Sequence, residues 1–217
     1  LICLALILNF PINENVELFK NSYKIDYLSS FAKILLISSG VFVLFLSNKY
    51  VQIIDINKIE YPILVLSSIL GMMVMVSSND LILFYIGLEL QSLSLYVLAS
   101  FNRDNLLSSE SGLKYFVLSA LSSGLLLYGC SLIYGFSGST NFFIIASNLK
   151  ESSYGLTFGI VFILVGLAFK ISAVPFHMWA PDVYQGSPTS VTAFFAILPK
   201  IAALTIFIRV LYVPFFN

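Results

Sequence analysis

Chemically reactive side chains are scarce in this chain of 217 residues. It has one histidine and two cysteines, and charged residues make up only 10% of the sequence. Cys3 and Cys130 are too far apart to form a metal-binding or redox spacing, so we interpret them as small apolar residues that pack in the interior. The formal net charge is zero, so no basic patch indicates binding to nucleic acid.

Sequence motifs for redox and hydrolytic chemistry are also missing. There is no nucleotide-binding loop, no Ser/His/Asp arrangement, no pair of haem ligands and no cysteine set for an iron–sulfur cluster. A metal site is not favoured either, because no second histidine or cysteine lies near His177. We therefore expect no cofactor, no metal and no redox site in this chain.

What the sequence has in abundance is apolar residues. They make up 59% of the chain, and the mean hydropathy is +0.95. A soluble domain is nearer to about half apolar and about a quarter charged. The composition therefore predicts an integral membrane protein, surrounded by lipid and with little soluble mass.

Six segments have the apolar composition and the length of about 20 residues that a membrane-spanning helix needs. They lie near residues 26–47, 60–76, 81–100, 111–134, 154–179 and 190–212. For residues 26–217 they predict an all-α, polytopic transmembrane bundle. Residues 1–25 are expected to form a helix stub over 1–10 and an extramembrane loop, the stub being the tail of a helix that begins upstream or a short membrane anchor.

The fifth of these segments is too long for one straight crossing. Pro175 falls inside it, and an interior proline removes a backbone hydrogen bond and clashes with the preceding turn. We therefore predict a discontinuous helix. Membrane proteins that move ions use such breaks, because a break exposes backbone polar groups and admits water.

Glu89, Lys170 and Lys200 each stand inside a long apolar segment. A charge at the middle of a membrane helix costs roughly 2.5–3.5 kcal/mol on insertion scales. A carboxylate at position 89 could simply lock one helix to another, but it could also be a proton site or the partner of a lysine. For the set as a whole, we favour ion or proton movement.

Two further residues are candidates because of their neighbours. Lys114 lies only a few residues from a loop and could reach water, yet it could also face Glu89 from the next helix and pair with it. His177 follows Lys170 by seven residues, about two helical turns, so it lies on the same face if the helix continues. It would then be either a packed core residue or a proton relay. Lysine, unlike arginine, can lose and regain a proton.

Three stretches of the sequence resemble a known family. They read GLELQSLSLYVLAS at 87–100, LKYFVLSALSSGLLLYG at 113–129 and FKISAVPFHMWAPDVYQGSPT at 169–189. They resemble subunit 2 of NADH:ubiquinone oxidoreductase, respiratory complex I, whose bacterial counterpart is subunit N. The resemblance runs from about residue 26 to the end of the chain.

The resemblance implies an antiporter-like, proton-translocating subunit of the complex I membrane arm. FMN, iron–sulfur clusters and ubiquinone would belong to other subunits, which are the expected partners. Glu89 would pair with Lys114, and Lys170 would be the central proton carrier on the discontinuous helix. His177 and Lys200 would continue a polar axis through the membrane.

The resemblance covers only the first half of such a subunit. Either the gene is split and a second chain supplies the C-terminal half, or the sequence is a fragment. We expect the mitochondrial inner membrane, with the bacterial plasma membrane as the alternative. Two other functions remain open, which are a subunit of a cation/proton antiporter without a redox partner and a structural half-subunit without a pumping role.

Overall fold

The structure is a computed structural model that describes residues 16–54, 59–148 and 154–215. The expected helix stub over 1–10 and Cys3 lie outside the described residues. In the described part of the chain, an antiparallel two-stranded hairpin precedes a series of helices. The elements are β1 (Val16–Leu18), β2 (Tyr23–Ile25), α1 (Tyr27–Ile53), α2 (Glu60–Val76), α3 (Leu81–Ala99), α4 (Leu106–Ser137), α5 (Phe142–Asn148), α6 (Tyr154–Ile171), α7 (Trp179–Gly186) and α8 (Thr189–Phe215).

The helical segments agree with the prediction of a transmembrane bundle. Within the described residues, five helices are long and apolar enough to cross a membrane, and these are α1, α3, α4, α6 and α8. Helix α2 is also apolar but has only 17 residues. The all-α, polytopic fold class is therefore confirmed, and the chain is a multi-pass membrane protein.

Helices α1 and α4 extend well beyond the apolar segments that predicted them. Helix α1 ends at Ile53 rather than near residue 47, and α4 runs over 106–137 rather than 111–134. The start of α4 is set by Asn105, whose side chain accepts a hydrogen bond from the backbone N–H of Leu107 at 3.0 Å. Its end is set by Gly138, which has a φ of 74°. Capping residues, and not hydropathy alone, decide where these helices begin and end.

Helices α2 and α3 form an antiparallel pair in which the two backbones touch. A Cβ atom on Gly71 would lie 2.5 Å from the backbone nitrogen of Gln91, and one on Gly87 would lie 2.7 Å from that of Met75. Only glycine permits this approach. At the start of α3, Oδ1 of Asp80 accepts a hydrogen bond from Ile82 N–H at 2.8 Å. This packing fixes the position of α3 along α2, and with it the position of the side chains that α3 carries.

The bundle has two distinct ends. The β1–β2 hairpin lies against the turn between α2 and α3, since the backbone N–H of Lys24 donates to Ser77 O and that of Asn79 donates to Ser22 O, both at 2.8 Å. We call this the hairpin end. The opposite end carries the connection over residues 100–105 between α3 and α4, and we call it the loop end.

The fifth predicted segment is indeed interrupted. Helix α6 ends at Ile171, and α7 begins only at Trp179. Ser172 has a φ of 59°, and the backbone N–H of Ala173 donates to Ala168 O at 2.9 Å, which is the usual way in which a residue in the left-handed region closes a helix. The prediction of a discontinuous helix is confirmed. The segment 172–178 is referred to below as the break.

Candidate functional site around Lys170

Lys170 is buried in the last turn of α6, one residue before that helix ends. Only 5% of the residue is exposed. Its ammonium Nζ donates hydrogen bonds to Ser92 Oγ on α3 at 2.7 Å and to Ser119 Oγ on α4 at 2.6 Å. Because an unpaired buried charge is costly, these hydroxyl acceptors are what makes the burial tolerable.

The hydroxyls that hold Lys170 belong to a larger cluster. Tyr96 donates from its hydroxyl to Ser119 Oγ at 2.7 Å, and its ring centroid lies 5.9 Å from the ammonium. Ser92 and Tyr96 are four residues apart on α3, so they project from the same helix face. Ser92 and Ser119 are both fully buried. We call Lys170, Ser92, Tyr96 and Ser119 the Lys170 cluster.

Close helix packing positions this cluster. A Cβ atom on Gly129 of α4 would lie 2.7 Å from Gly159 O of α6, so the two backbones are in contact below the cluster. Above it, Trp179 Nε1 donates to Phe169 O at 2.9 Å across the break. The same indole stacks on the ring of Tyr115 of α4, with centroids 4.7 Å apart. Helix α6 is therefore held against α4 near its start, at Gly159, and its end is held through Trp179.

Glu89 does not form the ion pair that the resemblance implied. It is half-buried on α3, and its Oε1 atom is buried without a hydrogen-bond partner among the described residues. Its carboxylate interacts electrostatically with Lys170 and with Tyr96, but not through a direct contact. Among the described residues, Glu89 has no recorded contact with Lys114, and on α3 it lies three residues before Ser92 of the Lys170 cluster.

Lys114 is instead bound at the loop end. Its Nζ lies 2.7 Å from Glu110 Oε1 and 2.7 Å from Asp182 Oδ2, and its side chain is 40% exposed. Glu110 is four residues earlier on the same helix, a spacing that brings side chains together. The ammonium of Lys114 is thus occupied by Glu110 and Asp182 and not by Glu89, so the predicted Glu89–Lys114 contact is wrong in this structure. Lys114 connects α4 to α7, the helix that follows the break.

His177 does not share a helix face with Lys170. That prediction assumed that the helix continues, whereas α6 ends at Ile171 and His177 lies in the break. The histidine is half-buried, and its Nδ1 atom is buried without a hydrogen-bond partner among the described residues. Its position is therefore set by the break and not by helical periodicity.

Lys200 lies on α8, which runs through Pro199 without interruption. The lysine is half-buried, and its ammonium lies 5.6 Å from the ring centroid of Tyr184 on α7. This is a cation–π contact. The phenol oxygen of Tyr184 is itself buried without a partner in the described part of the chain. Lys200 and Lys114 therefore both contact α7, from different helices.

The sequence analysis did not single out two buried cations. Lys33 of α1 is 6% exposed and donates to the hydroxyl of Tyr23 at 2.9 Å. Arg209 of α8 is 4% exposed and lies 2.6 Å from Asp26, the residue that caps α1. Burial tends to raise the pKa of the Asp26 carboxyl, but Arg209 and the hydrogen bonds from Ser29 outweigh it and lower that pKa. Both cations lie in apolar segments. The argument applied to Lys170, that a charge inside such a segment is costly and marks a site, could therefore have found them.

Among residues 16–54, 59–148 and 154–215, no group of three or more His, Cys, Asp or Glu side chains is placed to share a metal ion. Cys130 is buried, as expected for a packing residue. The polar centre of this chain is thus made of lysine, hydroxyl and carboxylate groups. Such groups can bind and pass protons.

Known proteins resemble this chain over nearly all of its length. Residues 78–217 match the family model described as NADH:quinone oxidoreductase/Mrp antiporter, transmembrane. The NADH-quinone oxidoreductase subunit N of Pelagibacter ubique (strain HTCC1062) is 74% identical over 212 residues, which are 98% of this chain and 45% of that protein. The chain therefore spans about half the length of the curated relatives that it matches.

Solved structures give the same result. A chain of respiratory complex I from Thermus thermophilus with bound aureothin superposes with a TM-score of 0.83 at 33% identity, covering 96% of this chain and 45% of that one. A chain of the Mrp complex from Dietzia sp. DQ12-45-1b superposes with a TM-score of 0.69 at 25% identity, covering 89% of this chain and 36% of that one. The sequence described here therefore belongs to the transmembrane family shared by NADH:quinone oxidoreductases and Mrp antiporters.

Proposed function

We propose that this chain is part of subunit N of a bacterial NADH-quinone oxidoreductase, and that it moves protons within the membrane arm of that complex. The name and the 74% identity of the Pelagibacter relative support this proposal. NADH oxidation and quinone reduction would take place in other subunits, which would also hold the flavin, the iron–sulfur clusters and the quinone. The energy of those reactions would reach this chain as changes in the charge of neighbouring sites.

The observation that carries the proposal is the setting of Lys170. Its ammonium is buried beside a helix break and is held by two hydroxyls, with no carboxylate in direct contact among the described residues. A lysine locked in an ion pair keeps its proton, whereas one held by neutral hydroxyls can release it at lower cost. We therefore assign to Lys170 the role of central proton carrier.

The other predicted residues receive different roles. Glu89 would bias the charge of Lys170 through space, because its carboxylate is close enough to interact but not to form an ion pair. His177, with its free Nδ1 in the break, would be a proton relay. Lys114 and Lys200 would hold α7 in place, and Lys200 would in addition continue the polar axis through the membrane.

The test is the substitution Lys170→Met in the assembled complex. We expect electron transfer from NADH to quinone to continue while the number of protons moved per electron falls, because methionine fills similar space without a titratable group. Lys49→Met is the matched control, since Lys49 is an exposed lysine on α1. An unchanged proton yield in the Lys170 variant would refute the role of Lys170 and favour a structural half-subunit.

A second candidate function is a subunit of a cation/proton antiporter. The superposition with a chain of the Mrp complex favours it, because the fold is shared. Mass spectrometry of the native membrane complex separates the two. Flavin and iron–sulfur proteins in the complex would establish the oxidoreductase, whereas their absence beside antiporter-like subunits would establish the antiporter.

The relatives also bear on location and partners. They are bacterial proteins, which favours the bacterial plasma membrane over the mitochondrial inner membrane. The partners would be the other membrane-arm subunits and the surrounding lipid. The same mass-spectrometric experiment shows whether a second polypeptide supplies a C-terminal half.

A further inference from the structure

The two serines that bind Lys170 are not equivalent. Ser92 uses its own hydroxyl proton to donate to Leu88 O at 2.6 Å, so toward Lys170 it can act only as an acceptor. Ser119 accepts from both Lys170 and Tyr96 but donates to no group among the described residues. Its proton is therefore free to turn toward the lysine nitrogen. As an acceptor, Ser92 favours the charged lysine, whose N–H groups are the stronger donors, whereas Ser119 can in addition donate to the nitrogen of the neutral lysine.

Tyr96 connects this cluster to a cavity at the loop end. The cavity has a volume of about 480 Å³, and its lining is largely apolar, with Tyr96, Ser100, Arg103 and Ser109 as its polar members. Arg103 belongs to the connection between α3 and α4, and its side chain is 70% exposed. Tyr96 thus lines this cavity on one side and donates its hydroxyl proton toward Lys170 on the other.

We propose that Tyr96 and Ser119 form the route by which Lys170 exchanges protons with the loop end, and that Ser92 is a positioning residue that holds the charged lysine in place. The proposal rests on the function proposed for Lys170. In one uptake event, Tyr96 passes its hydroxyl proton to Ser119 Oγ, and Ser119 passes its own proton to the neutral Lys170 nitrogen. Tyr96 then regains a proton from solvent in the cavity. One proton moves inward, and both hydroxyls end as they began.

Charged groups on the neighbouring helices define the setting of this route. Helix α3 contributes Glu89, which interacts with both Lys170 and Tyr96. Helix α4 contributes Lys114, whose charge is matched by carboxylates at the loop end. Helix α8 contributes Lys200, which lies over the ring of Tyr184, and the break contributes His177. Within the Lys170 cluster itself, the groups that can give or take a proton are the lysine and the three hydroxyls.

The experiment measures the rate and yield of proton translocation in vesicles that contain the complete complex. Tyr96→Phe keeps the ring and removes the hydroxyl, and Ser119→Ala removes the second member of the route. We expect each to slow proton translocation by roughly a hundredfold, the lower end of what a positioned proton-transfer group contributes. Ser92→Ala should instead keep the rate near its maximum at low pH and move the alkaline limit of the pH profile to lower pH by about one unit, because the charged lysine loses an acceptor.

Matched controls lie in the same helix. Tyr115→Phe removes the hydroxyl of a buried tyrosine whose ring packs edge-on against Tyr96, and that hydroxyl is not part of the cluster. Ser123→Ala removes a buried serine one turn beyond Ser119. Both controls should translocate protons like the unsubstituted complex.

The outcomes separate this inference from the one on which it rests. If Lys170→Met abolishes translocation while Tyr96→Phe and Ser119→Ala match their controls, the proposed route through Tyr96 and Ser119 is refuted. The role of Lys170 as proton carrier is then supported. If Lys170→Met has no effect, the function proposed for Lys170 itself fails. A pH profile of Ser92→Ala that coincides with that of Ser119→Ala overturns the distinction between the two serines.

Discussion

Lys170 and Lys114 bring the same ammonium group into two opposite settings. Lys170 is buried and is held by neutral hydroxyls, whereas Lys114 is half-exposed and lies 2.7 Å from each of two carboxylates. A charge paired with carboxylates is stabilised as a charge, so Lys114 is suited to hold α7 against α4. A charge held by hydroxyls can be given up, so Lys170 is suited to change its protonation state.

Replacing each lysine by arginine tests this difference most strongly. Arginine cannot lose its proton under physiological conditions, and its planar fork does not reproduce the two contacts of Lys170. We expect Lys170→Arg to abolish most proton translocation. Lys114→Arg should leave it nearly intact, because arginine pairs well with carboxylates. The measurement is the proton yield per electron of the assembled complex, and equal yields in the two variants would contradict the comparison.

The pair formed by Asp26 and Arg209 extends the comparison to a buried cation that does have a carboxylate. Asp26→Asn should lower the free energy of unfolding by roughly 2–3 kcal/mol, less than for a fully buried pair because the Asp26 side chain is 24% exposed. Asparagine still caps α1, so the loss of free energy of unfolding measures the contribution of the Asp26 charge. SDS unfolding in detergent micelles measures it, with Glu60→Gln of the exposed Arg103 pair as the control.

The same pair predicts a pH dependence. The pKa of Asp26 is lowered from its ordinary value of 3.8, so the carboxylate stabilises the fold above that value. This stabilisation is lost as the pH falls through the lower pKa of the folded state. The stability difference between the unsubstituted chain and Asp26→Asn should therefore shrink below about pH 4. A difference that stays constant down to pH 2 would show that Arg209 does not lower the pKa of Asp26.

The smallest expected effect concerns the anchor of α7. Asp182→Asn removes one of the two carboxylates at Lys114 but leaves Glu110 in place. We expect amide hydrogen exchange in α7 to become a few-fold faster, with little change in proton yield, because exposed ion pairs contribute little to stability. High salt should reduce the difference from the unsubstituted complex. A large loss of translocation in this variant would mean that the loop-end ion pairs take part in proton transfer.

The sequence was sufficient for the helices and for the break but not for the partners of the charges. Long apolar segments predicted the spans because lipid leaves the backbone few alternatives to a helix. Pro175 and the length of the fifth segment predicted the interruption. By contrast, one of the two partners of Lys114 is Asp182, which lies 68 residues away, and only the packing of α7 against α4 brings the two together.

The Lys170 cluster shows a second limit. Ser92 and Ser119 are ordinary helical serines in sequence, and nothing local marks them as the acceptors for a lysine on a third helix. The same-face argument for His177 failed because Ser172 adopts the left-handed conformation, which glycine would have signalled and serine does not. The roles of Glu89, Lys114, Lys170, His177 and Lys200 in proton transfer stay predictions.

The end of α6 at Ile171 has an electrostatic consequence of its own. The carbonyl groups of the last turn of a helix carry partial negative charge, and Lys170 lies in that turn. The helix dipole therefore stabilises the ammonium in addition to the hydroxyls of Ser92 and Ser119. If α6 were to lengthen by a turn, this negative pole would move away from Lys170 and the charged form would be disfavoured. By thermodynamic linkage, removal of the proton from Lys170 must equally favour the longer helix. The backbone itself can therefore couple the protonation of Lys170 to the length of α6.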